Sequence, residues 1–461
     1  MQVTVGSTIQ VKDPPAELME WCNKNLKLSN PEYGKKLRMH FWLGNTPAYL
    51  YLYEMRGDTV VLPFGTLREI IPFLDGATVH DTFGTPTVVD YGSTPIPLYD
   101  YQQDALRACM DGRYGILQSK AGSGKTQIGI AIIREYERKA LWLVHTADLL
   151  KQSKERAEMY MDKDLMGTIT EGKVNIGKGI TFATVQTMSK LDLSQYRDEW
   201  DVIITDEVHR VSGSPTAVTQ YQRVLNSLAA RHKYGLSATV HRSDGMIAAT
   251  YALVGRVIYT VPDEAVADKV MKVGVYITGT GVKIARVCLN SDGTINYQRL
   301  ITYLTENDDR NKTIVNAILD NADRPSLILS DRLEHLETLM GMLPGTQREK
   351  AVMISGEMTS KVGKAEREKA LDDMRVGTKK YLFATYALAK EGLDIPCLER
   401  LYMTTPVKDY AVVTQSIGRI ARMCADKDNP LVYDFVDDIA YLVRAYTKRC
   451  STYRKNGCYF V

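Results

Sequence analysis

Apolar positions along the chain fall into two series of short runs, each run closed by a polar or turn residue. The first series is GILQS (115–119), ALWLVH (140–145), GITFATV (179–185), WDVIITD (200–206) and KYGLSAT (233–239). The second is SLILS (326–330), AVMISG (351–356), YLFAT (381–385), RLYMTT (400–405) and LVYDFV (431–436). Amphipathic segments with helical spacing separate the runs. Continuous apolar runs alternating with helices predict strands buried on both faces, and so parallel sheets covered by helices. Two series predict two such domains in tandem. The first 95 residues read differently. AYLYLYEMRGDTVVLPFG (48–65) alternates on either side of Arg56-Gly57-Asp58, as a β-hairpin does, and PAELMEWCNKNL (15–26) has the pattern of a short helix. The Pro- and Gly-bearing stretch DYGSTPIPLYD (90–100) marks a boundary. The expected organisation is a small α+β unit over 1–95, an α/β domain over 96–260 and a second over 261–461. Residues 240–310 carry neither pattern cleanly and are assigned to a linker plus the start of the second sheet.

Length and composition agree with this division. The chain has 461 residues, 44% of them hydrophobic and 25% charged, with a formal net charge of +3. That is enough chain for two or three cores, and its charge neither demands nor excludes a polyanion partner. The seven cysteines are scattered and form no C-x-x-C pair, which argues against a zinc ribbon or disulfide framework. The N-terminus has no apolar signal core, and no run is long enough to cross a bilayer. A reducing cytoplasm and no membrane partner are expected.

SKAGSGKT (119–126) sits between a predicted strand and the predicted helix QIGIAIIREYE. Strand, glycine-rich loop and helix form a phosphate cradle. Backbone N–H groups of Ser119, Ala121, Gly122, Ser123 and Gly124 would wrap the phosphates of ATP. Lys125 would reach the β and γ phosphates, and Thr126 would offer a hydroxyl to Mg²⁺. Such a loop needs an acidic partner at another strand end, and WDVIITDEVH provides one. Asp206 would hold Mg²⁺ and Glu207 would orient and deprotonate the attacking water. In TQSIGRIAR, Arg419 and Arg422 lie three apart, on one face of a helix, and could place positive charge on the γ phosphate. Two arginines on a helix are, taken alone, more often a solvated face.

These stretches, in this order, resemble the superfamily 2 helicases of the DEAD/DEAH-like type, and are most similar to the branch typified by XPB, RecG and the phage recombination helicase UvsW. The resemblance runs from about residue 101 to 437. LYDYQQDAL is similar to the segment that reads adenine, which gives that role to Gln102. SKAGSGKT resembles motif I, with Ser119 where the generic loop has glycine. LVHTADLLKQ and FATVQTM resemble motifs Ia and Ib, DEVH motif II, and Ser237-Ala238-Thr239 motif III, with Val240 where many relatives have proline. SDRLEHLETL, ATYALAKEGLDIP and TQSIGRIAR resemble motifs IV, V and VI. The resemblance implies two RecA-like P-loop domains with ATP bridging them. Gly392, Asp394 and Gln415 would join Arg419 and Arg422 from the second domain. His209, Ser237 and Thr239 would couple hydrolysis to movement. Thr146, Thr184, Gln186, Arg332 and Thr385 would touch a nucleic-acid backbone, although each hydroxyl could as well cap a turn, and Arg332 and His335 could belong to a solvated helix start.

What the resemblance implies is an ATP-dependent DNA helicase or translocase acting on forked or branched DNA in recombination, repair or replication. It would be a monomer, with single-strand-binding or recombination proteins as partners. A duplex translocase that does not separate strands and an RNA helicase are the alternatives. One stretch outside the motifs, GKKLRMHFWLG (34–44), interleaves basic and aromatic residues. It could hold phosphate and stack a base, but Phe41 and Trp42 are assigned here to the core. The basic C-terminal stretch TKRCSTYRKNGCYFV is read as a solvated end or a segment that brushes DNA.

Overall fold

The structure, a computed structural model, describes all residues except Ala121, 239–245, Glu357, Thr359, Ser360, Glu391, Gly392 and Asp394, and omits the side chains of 267–269, 361, 364 and 390. The chain divides into two compact units, Met1–Ala265 and Val266–Val461.

The first unit is built on an eight-stranded sheet. Its order is Lys173–Asn175, Met166–Thr170, Ile180–Thr184, Ala140–Val144, Val202–Thr205, His232–Ser237, Gly115–Gln118, Val257–Thr260. Every pairing is parallel except the outermost, Met166–Thr170 with Lys173–Asn175. The central strands Ala140–Val144 and Val202–Thr205 are buried at every residue, which is why they read as unbroken apolar runs. All five predicted strands of the first series are present. Val257–Thr260 and Met166–Thr170 were not predicted; the latter, MGTIT, carries too few apolar residues to stand out.

The second unit holds a seven-stranded, all-parallel sheet ordered Ala351–Ile354, Tyr381–Thr385, Ser326–Ser330, Arg400–Met403, Leu431–Asp438, Gly274–Lys283, Tyr459–Phe460. Alternate residues of its strands enter different cores. Leu327, Leu329, Leu382 and Ala384 pack with Val412, Val413 and Ile417. Ile328, Tyr381 and Phe383 pack with Ile314, Ile318, Leu336 and Leu339. Helices therefore cover both faces, as expected of a doubly wound sheet. The ten-residue strand Gly274–Lys283 lies inside the 240–310 stretch assigned to a linker plus the start of the second sheet, and it pairs in that sheet with Leu431–Asp438. The C-terminal stretch is no solvated end: helix Ala440–Lys455 buries Tyr453 and Arg449, and Tyr459–Phe460 adds a strand to the sheet. Arg449 donates from Nε and Nη2 to the two carboxylate oxygens of Asp434 at 2.8 Å each.

Residues 1–81 form a five-stranded sheet, ordered Glu54–Arg56, Thr59–Pro63, Thr8–Lys12, Gln2–Val5, Thr78–Asp81, with helix Ala16–Asn25 against it. The hairpin turns at Gly57-Asp58, with Gly57 at φ +62. Tyr49–Tyr51, read as part of that hairpin, pairs instead with Lys27–Ser29. This sheet is part of the first unit and shares one core with residues around the eight-stranded sheet. Val3, Ile9, Val60 and Phe64 pack with Tyr114, Val218, Met246 and Ala252. At Gly65 the chain passes so close to helix Ile247–Val254 that a Cβ would lie 2.5 Å from the backbone nitrogen of Gly255.

Candidate nucleotide site

The strand Gly115–Gln118 delivers the chain to the loop at 119–124, and helix Lys125–Tyr136 starts directly after it. Gly122 and Gly124 have φ of +85 and +77, which a side chain would strain, and Gly124 occupies the helix N-cap. Ser119 N–H donates to the carbonyl of Ser237 at 2.9 Å, fixing the loop to the neighbouring strand end. Ser119 Oγ donates to Ser123 Oγ, and Ser123 Oγ to the Lys120 carbonyl at 2.7 Å. Lys125 is buried, with Nζ 3.2 Å from the carbonyls of Ser119 and Lys120, so its ammonium is held inside the loop. Thr126, the second residue of the helix, is half-buried.

Two residues brace the loop from helix Asp100–Gly112. Gln102 Nε2 donates to the Ser123 carbonyl at 2.9 Å, while its Oε1 accepts from Tyr99 N–H at 3.0 Å and so caps its own helix. Tyr101 OH donates to the same Ser123 carbonyl at 3.0 Å. The sequence reading gave Gln102 to adenine alone and missed Tyr101; the shared brace on the loop depends on tertiary placement.

Strand Val202–Thr205 ends at Asp206 and Glu207. Asp206 is buried, its N–H donates to the Leu143 carbonyl at 3.0 Å, and its Oδ1 accepts from Glu207 N–H at 2.9 Å. Burial and the Glu207 carboxylate push its pKa up to about 7, against the opposing pull of Lys125. Glu207 has φ +47. His209 Nδ1 lies 3.2 Å from Glu207 Oε2 and 3.0 Å from Ser237 Oγ, so one ring nitrogen touches both the acidic pair and the strand end that carries Ser237. Thr239, with Ala121, Gly392 and Asp394, lies outside the described residues, as does Val240.

The residues of the first unit fit a magnesium nucleotide. Left-handed glycines open the cradle and a buried lysine lies within it, while the Asp206 carboxylate and the Thr126 hydroxyl are hard oxygen donors that would suit a magnesium ion brought in on the phosphates. Among the described residues no cluster of three or more His, Cys, Asp or Glu could hold a metal by itself.

The residues assigned to a nucleic-acid track divide. Thr146 caps helix Ala147–Ala157, its Oγ1 accepting from Leu149 N–H at 3.3 Å. Thr184 is buried and its hydroxyl donates to Thr187 Oγ1 at 3.0 Å. Gln186 Nε2 lies 3.1 Å from Nδ1 of His145, whose pKa is pushed down by burial and by Arg210 and His209. Arg332 is half-buried at a helix N-cap and donates to Gln298 Oε1; Thr385 ends its strand, half-buried. His335 is not at a solvated helix start. It is buried between Ser330 Oγ at 3.0 Å and Asn311 Oδ1 at 2.9 Å, and burial with Arg310 nearby pushes its pKa down to about 3.

In the second unit Arg419 and Arg422 do not share a helical face. The helix spans Tyr410–Ile420, and Arg422 follows its C-cap, where its backbone pairs with Val270. A helix-period reading overran the end by two residues. Arg419 donates from Nε to the Ala389 carbonyl at 3.0 Å and from Nη1 to the Leu393 carbonyl at 2.9 Å. Gln415 is buried on the same helix.

Two family models match the chain. The type III restriction enzyme res subunit model covers residues 95–242, and the helicase conserved C-terminal domain covers 309–424, together more than half the chain. The chain is 27% identical over 339 residues to a putative ATP-dependent RNA helicase, L396, of Acanthamoeba polyphaga mimivirus, covering 72% of this chain and 62% of that protein's length. It is 26% identical over 410 residues to the DNA 3'-5' translocase XPB2 of Sulfurisphaera tokodaii, covering 82% of this chain and 86% of that one. It is 22% identical over 445 residues to the ATP-dependent DNA helicase uvsW of Enterobacteria phage T4, covering 88% and 84%. Among solved structures, S. cerevisiae Dbp5 bound to RNA and ADP BeF3 superposes with a TM-score of 0.54 at 17% identity, covering 79% of this chain and 94% of that one, a likeness of fold. With the parallel sheets and the ordered motifs already described, these matches identify the chain as a superfamily 2 helicase of the XPB- and UvsW-like branch, a family of ATP hydrolases.

Proposed function

We propose that the chain is an ATP-driven helicase or translocase acting on forked or branched DNA, in recombination, repair or replication. The observation that carries this reading is His209 Nδ1, within 3.2 Å of Glu207 and 3.0 Å of Ser237. It gives the acidic pair a mechanical neighbour, which a simple phosphatase would not need. Lys125 and the loop N–H groups would bind and orient the triphosphate. Mg²⁺, held by Thr126 and Asp206, would neutralise charge on the phosphate oxygens. Glu207 would take the proton from the attacking water, and His209 would pass the resulting change in charge and position to Ser237. Arg419, Arg422 and Gln415, with Gly392 and Asp394, would complete the nucleotide site from the second unit. Nucleotide-dependent grip by two units on one strand then gives movement.

DNA is favoured over RNA because two relatives that match over most of the chain, XPB2 and uvsW, are a DNA translocase and a DNA helicase by name, whereas L396 is named as an RNA helicase. The test is steady-state ATP hydrolysis with single-stranded DNA, duplex, fork, four-way junction and RNA, beside strand-separation assays on the same substrates. Greatest stimulation by fork or junction with strand separation is expected. Hydrolysis without separation on any fork would favour a duplex translocase, and stimulation by RNA alone would overturn the DNA reading.

A further inference from the structure

Helix Pro31–Arg38 buries none of its residues. The chain that leaves it is held at its base and open at its tip. Asn30, buried, caps the helix through Oδ1 to Glu32 N–H at 3.0 Å and donates from Nδ2 to the Pro47 carbonyl at 2.8 Å. Lys36 Nζ donates to Thr46 Oγ1 at 2.7 Å. Between these ties the loop projects apolar side chains into solvent: Leu37 is 56% exposed, Met39 50%, Phe41 56% and Trp42 89%. The assignment of Phe41 and Trp42 to the core is therefore wrong. Gly44, at φ +50, leaves room for the indole: a Cβ there would sit 2.9 Å from the ring. The ring itself is open to solvent over almost its whole surface. Lys35 and Arg38, on the helix that leads into the loop, are exposed, and no Asp or Glu occurs between Glu32 and Glu54.

A large aromatic surface left in water is costly unless something covers it. Its charge selects the partner. An acid-free stretch with exposed cations beside a projecting indole suits a polyanion that carries flat apolar faces, which is a strand with unpaired bases. Resting on the function proposed above, we propose that the 38–44 loop is a stacking platform for unpaired bases of a nucleic-acid strand, with Trp42 against a base and Lys35 and Arg38 on the flanking phosphates. Stacking is indifferent to base identity, so the platform would recognise exposed single strand and not sequence.

Trp42 reports on itself. Of the four tryptophans, Trp142 and Trp200 are buried and Trp21 is half-buried. In the full chain without nucleotide, titration with oligo-dT or oligo-U about twenty nucleotides long, longer than one aromatic groove spans, should quench the most exposed emission and shield it from acrylamide. Trp42→Ala should abolish that quenching and weaken binding between about fivefold and a hundredfold, the range for losing one stacked base, while Trp42→Phe retains most of the affinity. The stronger of the two oligonucleotide responses identifies the strand as DNA or RNA. Wild-type affinity in Trp42→Ala, or unchanged emission at saturating oligonucleotide, would overturn the platform. So would self-association lost in Trp42→Ala without any change in oligonucleotide binding, which would make the loop a protein contact. Stimulated ATP hydrolysis, measured in parallel, separates the two proposals: stimulation of wild type with a silent Trp42 removes only the platform, and a quenched Trp42 without stimulation removes only the motor.

Discussion

Glu207 stands at φ +47, a left-handed conformation that costs a residue with a Cβ about 1–3 kcal/mol. Its carboxylate also lies close enough to raise the pKa of Asp206. Strain and like charge at one strand end mark a site arranged for chemistry at the expense of stability. Glu207→Gln keeps the shape and removes the base. Nucleotide binding should persist, turnover should fall by about 10²–10⁴, and the melting temperature should rise because a like charge has gone; a nucleotide titration, turnover assay and thermal melt check the three. Asp206 carries a sign of its own. Its folded pKa, near 7, lies above the ordinary carboxylate value, so the native state holds the proton more tightly than the unfolded chain. The group therefore loses stability as pH rises from about 4 to 7, with a slope of at most about 1.4 kcal/mol per unit. Asp206→Asn without nucleotide or metal should melt above wild type by a margin that widens across that window and stays level beyond it. Both acids were legible from the sequence because a strand-end acidic pair beside a glycine-rich loop has few other readings. The left-handed φ and the raised pKa were not, since they depend on which groups the fold packs around them.

Strand His232–Ser237 links the site to the N-terminal sheet. Its last residue, Ser237, meets His209, and near its start Lys233 is buried, donating from Nζ to the carbonyls of Leu225 at 2.8 Å and Ser7 at 3.3 Å beneath the ring of Phe64 at 5.0 Å. The sequence gives no sign of this. Lys233 opens an apolar run, where a lysine reads as the solvated edge of a strand, and only the sheet over residues 1–81 turns that edge into an interior. Central strands such as Val202–Thr205 were legible because covering both faces leaves no polar position to interrupt the run. Lys173–Asn175, exposed throughout, and Gly274–Lys283, with alternating burial, give no such run. Burial pushes the Lys233 pKa down to about 7. The unfolded chain thus binds more protons than the native one between about 7 and 10.5, and this group's contribution to stability rises with pH through that window. Lys233→Met should remove this group's contribution, so that melting temperature rises less, or falls more, between pH 7 and 10 than in wild type. Urea unfolding at the two ends of the range checks it, and parallel curves for the two proteins would contradict the assignment.

Across the whole chain, the groups suited to phosphoryl transfer are divided between its two compact units. Lys125, Asp206 and Glu207 belong to Met1–Ala265, and Arg419 and Arg422 to Val266–Val461. The proposed cycle needs both sets at one triphosphate, and the two arginines begin from different surroundings. Arg419 already serves its own unit, with two hydrogen bonds from its guanidinium to backbone carbonyls at 389 and 393, beside the motif V segment. Removing a charged donor from two carbonyls costs on the order of 1–3 kcal/mol. Arg419→Ala should therefore lower the melting temperature along with turnover, and Arg419→Lys should recover part of each. Arg422 follows the helix, and its backbone is tied into the second unit: its carbonyl accepts from Lys427 Nζ at 2.9 Å and it forms a strand-like bridge with Val270. Arg422→Ala should keep its fold and its affinity for nucleotide and lose catalysis, by about 10³-fold if the guanidinium stabilises the transferring phosphoryl group. Fluorescent-nucleotide binding beside single-turnover hydrolysis separates the two effects. A variant that binds weakly but cleaves what it binds at the wild-type rate would move Arg422 from the transition state to ground-state binding, and a variant unimpaired in both would remove it from the nucleotide site.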